Sequence, residues 1–177
     1  MKKILGITGF AQSGKDTIGR ILVEDYGFYR IGFADAVRDA VLALDPYVTT
    51  GSLGFRISQL VQEIGWERAK TEYPEVRRLL QRMGTEVGRD LFGDRSWIDI
   101  GMRKAEGHDK VVFTDVRFAN EAVTIQEAGG EIWKVQRPGV KPAGDHASEK
   151  LDFRVDWLIV NDSSVEVLKG AVRDLLR

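Results

Sequence analysis

The residues best equipped for chemistry are Gly9-Phe10-Ala11-Gln12-Ser13-Gly14-Lys15-Asp16-Thr17. Gly9, Gly14 and Lys15 keep the spacing G-x-x-x-x-G-K, directly after an apolar run and at the start of a helical pattern. That context makes an anion cradle. Glycines let the main chain wrap a phosphate closely, successive N–H groups point inward, and the helix N-terminus adds partial positive charge. Lys15 is expected to reach the β and γ phosphates of a nucleoside triphosphate, with Gly9, Gln12, Ser13, Gly14, Asp16 and Thr17 around them. Asp16 stands where a Ser or Thr usually serves Mg²⁺. Either Asp16, directly or through water, or the following Thr17 takes that role. The bland alternative is a glycine-rich strand-to-helix turn, which leaves the conjunction of strand, spacing and helix to chance.

A phosphate cradle alone serves switches, motors and kinases alike, so a second anion pocket is the discriminating feature. Asp35 and Arg38 follow the second apolar run, where ligands of open parallel sheets sit. Asp35 as a helix N-cap and Arg38 as a solvated helix charge are the plain readings. Between Arg78 and Arg89, Leu80, Met83, Val87 and Leu91 form an apolar stripe at helical spacing. Arg78, Arg82, Glu86 and Arg89 recur along another side. Such a row can clamp a phosphate through bidentate guanidinium contacts, or it can be a surface salt-bridge stripe worth little energy. Gly84 and Gly88 cost a helix about 1 kcal/mol each, which implies close approach by a ligand or another element. Trp97 either stacks on a base or fills the core. Asp115 and Arg117 close the third apolar run, where a second acidic residue and a cation would face the transferred phosphate, although Asp115 also suits a helix cap. Arg137 closes the fourth run, and Lys141, His146, Lys150 and Arg154 follow in a polar connection. His146 has no Cys or His partner at metal-ligand spacing and is not read as a ligand.

Five strands are expected to position these groups, at residues 2–8, 28–33, 110–114, 131–136 and 156–160. The first, third and fifth are nearly continuous Val, Ile and Leu, as in parallel strands buried on both faces. Helices are expected at 15–25, 35–44, 56–71, 75–92, 96–106, 119–129 and 164–176, with Gly129-Gly130 as a helix stop and Asn161 to Ser164 supplying N-cap chemistry. The alternation predicts an α/β sandwich on a parallel sheet. Residues 45–107 show helices and no convincing strand, and 138–155 is long enough for a functional loop.

The 177 residues suit one domain, without internal repeats or low-complexity tracts. A formal charge of −1 gives no sign of a general nucleic-acid or membrane-surface binder. The absence of cysteine excludes disulfides and thiolate metal sites. No apolar run approaches a membrane span and the N-terminus does not read as a signal peptide, so a cytoplasmic protein is expected.

The set G-x-x-x-x-G-K-D-T, F-A-D-x-x-R, L-L-Q-R-M-G-T-E-x-G-R, W-I-D, T-D-V-R-F-x-N-E-A, V-x-R-P-G, H-x-S-E and D-W-x-I-x-N-D runs nearly end to end. In that order it resembles the deoxynucleoside monophosphate kinases of bacteriophages, with Met83 in place of the usual Leu. The resemblance implies a P-loop NTPase fold of three α/β/α layers on a five-stranded parallel sheet, a helical acceptor-binding insert near 45–107 and a lid near 138–155. It implies ATP as phosphate donor, Mg²⁺ as cofactor, conversion of dNMP to dNDP for phage DNA synthesis, and a homodimer. Carried over, Ser13 to Thr17 hold the donor phosphates. Asp35, Arg38, Arg82, Glu86, Arg89 and Trp97 line the acceptor pocket. Asp115 and Arg117 sit with Lys15 at the reacting centre, and Arg137 serves the lid. Asp16, Thr17 and Asp115 are the candidate metal residues. Two other readings stand beside it: a dephospho-coenzyme A or phosphomevalonate kinase on the same fold, and a nucleotide-binding switch or assembly ATPase. The aromatic residues Phe55, Trp66 and Trp97 favour a base over an isoprenoid acid.

Overall fold

A computed structural model describes residues 2–50, 53–142 and 150–177. The chain divides into two compact units, Met1–Gly32 with Gly101–Arg177, and Phe33–Ile100.

The first unit is built on β1 (Lys3–Thr8), α1 (Lys15–Tyr26) and β2 (Tyr29–Ile31), followed after the second unit by β5 (Lys110–Phe113), α6 (Ala119–Glu127), β6 (Glu131–Gln136), β7 (Trp157–Val160) and α7 (Val165–Leu176). Its strands form one five-stranded sheet in the order β2-β5-β1-β6-β7, parallel throughout. β1 is central, with Leu5 opposite Val112 of β5 and Ile7 opposite Trp133 of β6. Its six residues are almost wholly buried, as a strand covered on both faces must be. Alternation then sorts the side chains. Leu5 and Ile7 pack with Ile18 and Leu22 of α1 and Leu168 and Val172 of α7. On the opposite face, Gly6 sits so close to Ile132, and to Ile125 of α6, that a Cβ would strike the Ile132 side chain at 2.6 Å. Helices on both faces make the three expected layers. Each fully buried Leu or Ile here contributes about 1.5–3 kcal/mol.

The second unit holds α2 (Phe33–Leu44), β3 (Tyr47–Thr50), β4 (Leu53–Arg56), α3 (Ile57–Glu72), α4 (Pro74–Arg82), a π-helix (Met83–Leu91) and the start of α5 (Ser96–Lys104). It departs from the sequence expectation in four places. Residues 45–107 are not strand-free, because β3 and β4 form an antiparallel hairpin with Tyr47 opposite Arg56. The Arg56 guanidinium lies 4.2 Å over the Tyr47 ring, and Val48 faces a core of Val41, Ile57, Leu60, Ala69 and Val76. The helix expected at 56–71 is broken at Gly65 (φ 75°) into two stretches. The helix expected at 75–92 changes type at Met83, from α to π. α2 also starts two residues early, at Phe33, so Asp35 lies inside its first turn and not at the N-cap. Phe55 and Trp66 pack against the hairpin core, with Phe55 edge-on to Tyr73 at 6.3 Å.

Candidate active site

In the first unit, the sheet topology gathers the expected donor residues at the carboxyl edge of parallel strands. The loop after β1 carries the cradle, Asp115 lies two residues past β5, and Arg137 directly follows β6. The cradle conformation rests on left-handed backbone at Gly9 (φ 146°), Gln12 (φ 64°) and Gly14 (φ 104°). A Cβ on Gly9 would meet the Val135 carbonyl oxygen at 2.5 Å and Ser13 Oγ at 2.7 Å, so the loop can lie against β6 only with glycine there. Among the described residues no side chain caps the N-terminus of α1, which begins at Lys15. Its first-turn amides therefore stay suited to an anion. Ser13 is 1% exposed, and its Oγ has no hydrogen-bond partner among the described residues. An unsatisfied buried hydroxyl costs about 1–3 kcal/mol, a penalty that a phosphate oxygen would relieve. The buried Lys15 ammonium donates to the Phe10 carbonyl at 3.2 Å, folded over the loop it is expected to serve. Asp16 is exposed and Thr17 half-buried in the same first turn.

The segment bearing Asp115 and Arg117 is tied down on both sides. Thr114 N–H donates to Ile31 O at 3.0 Å and Val116 N–H to Ile7 O at 3.1 Å. Arg30 Nε donates to Thr114 Oγ1 at 3.2 Å. Glu121, 3% exposed, accepts the Arg117 N–H at 2.7 Å and the Phe118 N–H at 3.1 Å on one carboxylate oxygen. Asp115 and Arg117 are half-buried. Sequence reasoning passed over Glu121 as a working residue, although its place three positions after the N-cap Phe118 is the signal for a back-reaching carboxylate. Arg137 is exposed and opens a turn closed by Val140 N–H to Arg137 O at 3.1 Å. Lys141, Lys150 and Arg154 are exposed, whereas His146 and the rest of H-x-S-E lie outside the described residues.

In the second unit the expected acceptor residues are side chains engaged with one another. Arg38 pairs with Asp35 at 3.3 Å and with Glu67 at 3.6 Å. Arg82 pairs with Glu86 at 2.9 Å, both half-exposed, and Arg89 Nη1 reaches the Asp94 carbonyl at 3.5 Å. Arg78 forms a two-bond pair with Glu75, which raises the arginine's pKa and lowers the carboxylate's. The close approach expected at Gly84 and Gly88 comes from another element. Trp97 lies so near Gly88 that a Cβ would fall inside the indole, and its Nε1–H donates to Gly84 O at 2.9 Å. Trp97 is buried with Ala36 and Val37, and its ring N–H is spent on the π-helix. Mid-helix π geometry recurs at functional sites, and here an indole wedged against two glycines accompanies it.

Among the described residues no three His, Cys, Asp or Glu gather into a metal cage. Magnesium needs none, because it is typically held by one or two carboxylates together with substrate phosphates. Asp16, Thr17 and Asp115 offer the hard oxygen donors such an ion prefers. Among the described residues no helix is long and apolar enough to cross a membrane.

A model of the deoxynucleotide monophosphate kinase family matches residues 47–172. A protein of Acanthamoeba polyphaga mimivirus, provisionally named a deoxynucleotide monophosphate kinase, is 30% identical over 189 aligned positions, covering 92% of this chain and 90% of its own length. The deoxynucleotide monophosphate kinase of Escherichia phage RB69 is 30% identical over 109 positions, covering 58% of this chain and 45% of its own. Among solved structures, dephospho-CoA kinase from Campylobacter jejuni aligns with 99% of this chain and 96% of its own at a TM-score of 0.48 and 15% identity. On the family match and the near full-length relative, the chain is a nucleotide kinase and belongs to the deoxynucleotide monophosphate kinase family.

Proposed function

We propose that the chain transfers the terminal phosphate of ATP to deoxynucleoside 5′-monophosphates, giving dNDPs that supply phage DNA synthesis. The observation that carries the donor half is the cradle: a helix N-terminus without a side-chain cap beside a buried Ser13 hydroxyl that nothing among the described residues satisfies. The acceptor half rests on the arginines of the second unit and on family membership.

In this reading the Ser13 hydroxyl, the amides of residues 14–17 and the Lys15 ammonium hold the β and γ phosphates. Arg38, Arg82 and Arg89 hold the acceptor's phosphate, with Asp35 and Glu86 orienting guanidinium groups. An acceptor phosphate oxygen attacks the γ phosphorus, the bond from that phosphorus to the β,γ-bridging oxygen breaks, and ADP leaves with the bond's electron pair. Charge shifts among phosphate oxygens in such a step, so positioned cations do most of the catalysis. Lys15, Arg117 and Arg137 are the residues assigned to it. Asp16, Thr17 and Asp115 would hold magnesium, which neutralises phosphate charge when bound. A homodimer belongs to the same proposal and is checked by light scattering.

The test is ADP formation from Mg-ATP with dAMP, dGMP, dCMP, dTMP, GMP, phosphomevalonate and dephospho-coenzyme A as acceptors. Stimulation by two or more deoxynucleotides is expected. Stimulation by phosphomevalonate or dephospho-coenzyme A alone would replace the acceptor class. Acceptor-independent ADP formation would instead favour a switch or assembly ATPase.

A further inference from the structure

Just past β7, a side chain from the other end of the chain reaches the cradle. Asn161 directly follows β7, and its N–H extends the ladder by donating to Gln136 O at 2.8 Å. That bond fixes the Asn161 backbone to the sheet, so its side chain has a firm base. The Asn161 Nδ2 donates to the Ser13 carbonyl at 2.8 Å, across 148 residues of sequence. Its carboxamide occupies the space where any side chain on Gly14 would have to go. The helix-capping duty expected of the Asn161–Ser164 stretch falls to Ser164, whose Oγ accepts the Val167 N–H at 3.4 Å. Asn161 is thus left for the cradle.

The consequence follows from peptide planarity. In a trans peptide the carbonyl and the next N–H point in opposite directions. Holding the Ser13 carbonyl toward Asn161 therefore turns the Gly14 N–H the other way. The neighbouring donor is already committed, because Ser13 N–H bonds to Phe10 O at 3.2 Å within the loop. The next turn is fixed as well, with Ile18 N–H on Gly14 O at 3.1 Å. The orientation of the Ser13–Gly14 peptide is the remaining freedom, and left-handed Gly14 has no Cβ to restrict it. We propose that Asn161 is a positioning residue for the phosphate donor: it locks the Ser13–Gly14 peptide so that the Gly14 N–H, with the helix amides after it, faces the triphosphate. This deepens the donor half of the proposed function and is independent of which acceptor is used.

The experiment compares the wild type with Asn161→Asp, Asn161→Leu and Asn161→Ser. Calorimetry measures tripolyphosphate affinity, initial rates give separate KM values for ATP and the acceptor, and thermal unfolding monitors the fold. Asp and Leu keep the shape and remove the donor, one with charge and one without, whereas Ser removes the carboxamide without filling its place. Tripolyphosphate binding is expected to weaken about tenfold or more in all three, the size of one oriented charge-assisted bond. The ATP KM should rise in parallel and the acceptor KM should stay within about twofold. Unchanged tripolyphosphate affinity in Asn161→Leu and Asn161→Ser overturns the proposal, and so does weakening in Asn161→Asp alone, which would be repulsion by the new charge. If the wild type binds tripolyphosphate but no deoxynucleotide stimulates ADP formation, the acceptor reading fails and the role of Asn161 stands.

Discussion

The cradle of the first unit and the arginine row of the second unit would both recognise phosphate, and they are built in opposite ways. The cradle is made of main chain. Its donors are amides whose directions are set by left-handed Gly9, Gln12 and Gly14 and by a sheet edge. The arginine row is made of long side chains, and each is engaged with an acid or carbonyl of its own unit: Arg38 with Asp35 and Glu67, Arg82 with Glu86, Arg89 with the Asp94 carbonyl. Main-chain donors need no rotamer ordering when a ligand arrives. Guanidinium groups must trade partners, and an exposed pair such as Arg82–Glu86 holds by only about 0.2–1 kcal/mol. The cradle is therefore preorganised, while the row is adaptable and cheap to rearrange.

Substitutions sharpen that contrast, and the largest effect belongs to the cradle. Lys15→Ala is expected to lower kcat/KM on the order of 10³-fold with little change in thermal stability, because one preorganised cation is lost at the reacting phosphate. Steady-state rates beside a melting curve check it. Retention of more than a tenth of the activity would show that the lysine is dispensable. Next is Glu121→Ala, which leaves the Arg117 and Phe118 amides without their carboxylate. A loss of about 3 kcal/mol in denaturant unfolding is expected, with kcat falling alongside as Arg117 loosens. Gly88→Ala should cost about 1–3 kcal/mol, since the new Cβ must displace Trp97. The acceptor KM should rise while the ATP KM holds, which would tie the π-helix to the acceptor side.

The smallest effect concerns the hairpin of the second unit. Asp45 accepts the Ser58 N–H at 3.0 Å, and its bonds to the Ser58 N–H and hydroxyl hold its carboxyl below the ordinary value of 3.8. A depressed pKa in the fold means a contribution present above that value and lost as pH falls through the lower, folded one. Asp45→Asn should therefore lower the melting temperature slightly at neutral pH and not at all in strong acid. An equal gap at both ends of the range would remove the carboxylate from the explanation.

What the sequence made legible follows the same division. The strand, loop and helix around Gly9 to Thr17 are encoded locally, by glycines and an apolar run, and all five core strands were placed within a few residues. The hairpin was missed although Tyr47-Val48-Thr49-Thr50 carries the β-branched and aromatic residues of a strand, because helical patterns on both sides overrode so short a run. The π-helix has no local signal at all. It accompanies Trp97 seated against Gly88 from nine residues further along, a contact that only the folded chain brings about. The partners of the site residues were legible in part. Glu86 beside Arg82 follows from helical spacing, whereas Asn161 on the Ser13 carbonyl depends on strand order.

The most direct test of the division between donor and acceptor residues is a pair of KM values for Arg82→Ala, one for ATP and one for the best deoxynucleoside monophosphate. The account predicts an acceptor KM raised about 10–100-fold, the worth of one charge-assisted phosphate contact, with the ATP KM within about twofold of the wild type. An ATP KM that rises as much as the acceptor's, or an acceptor KM that does not move, would contradict it.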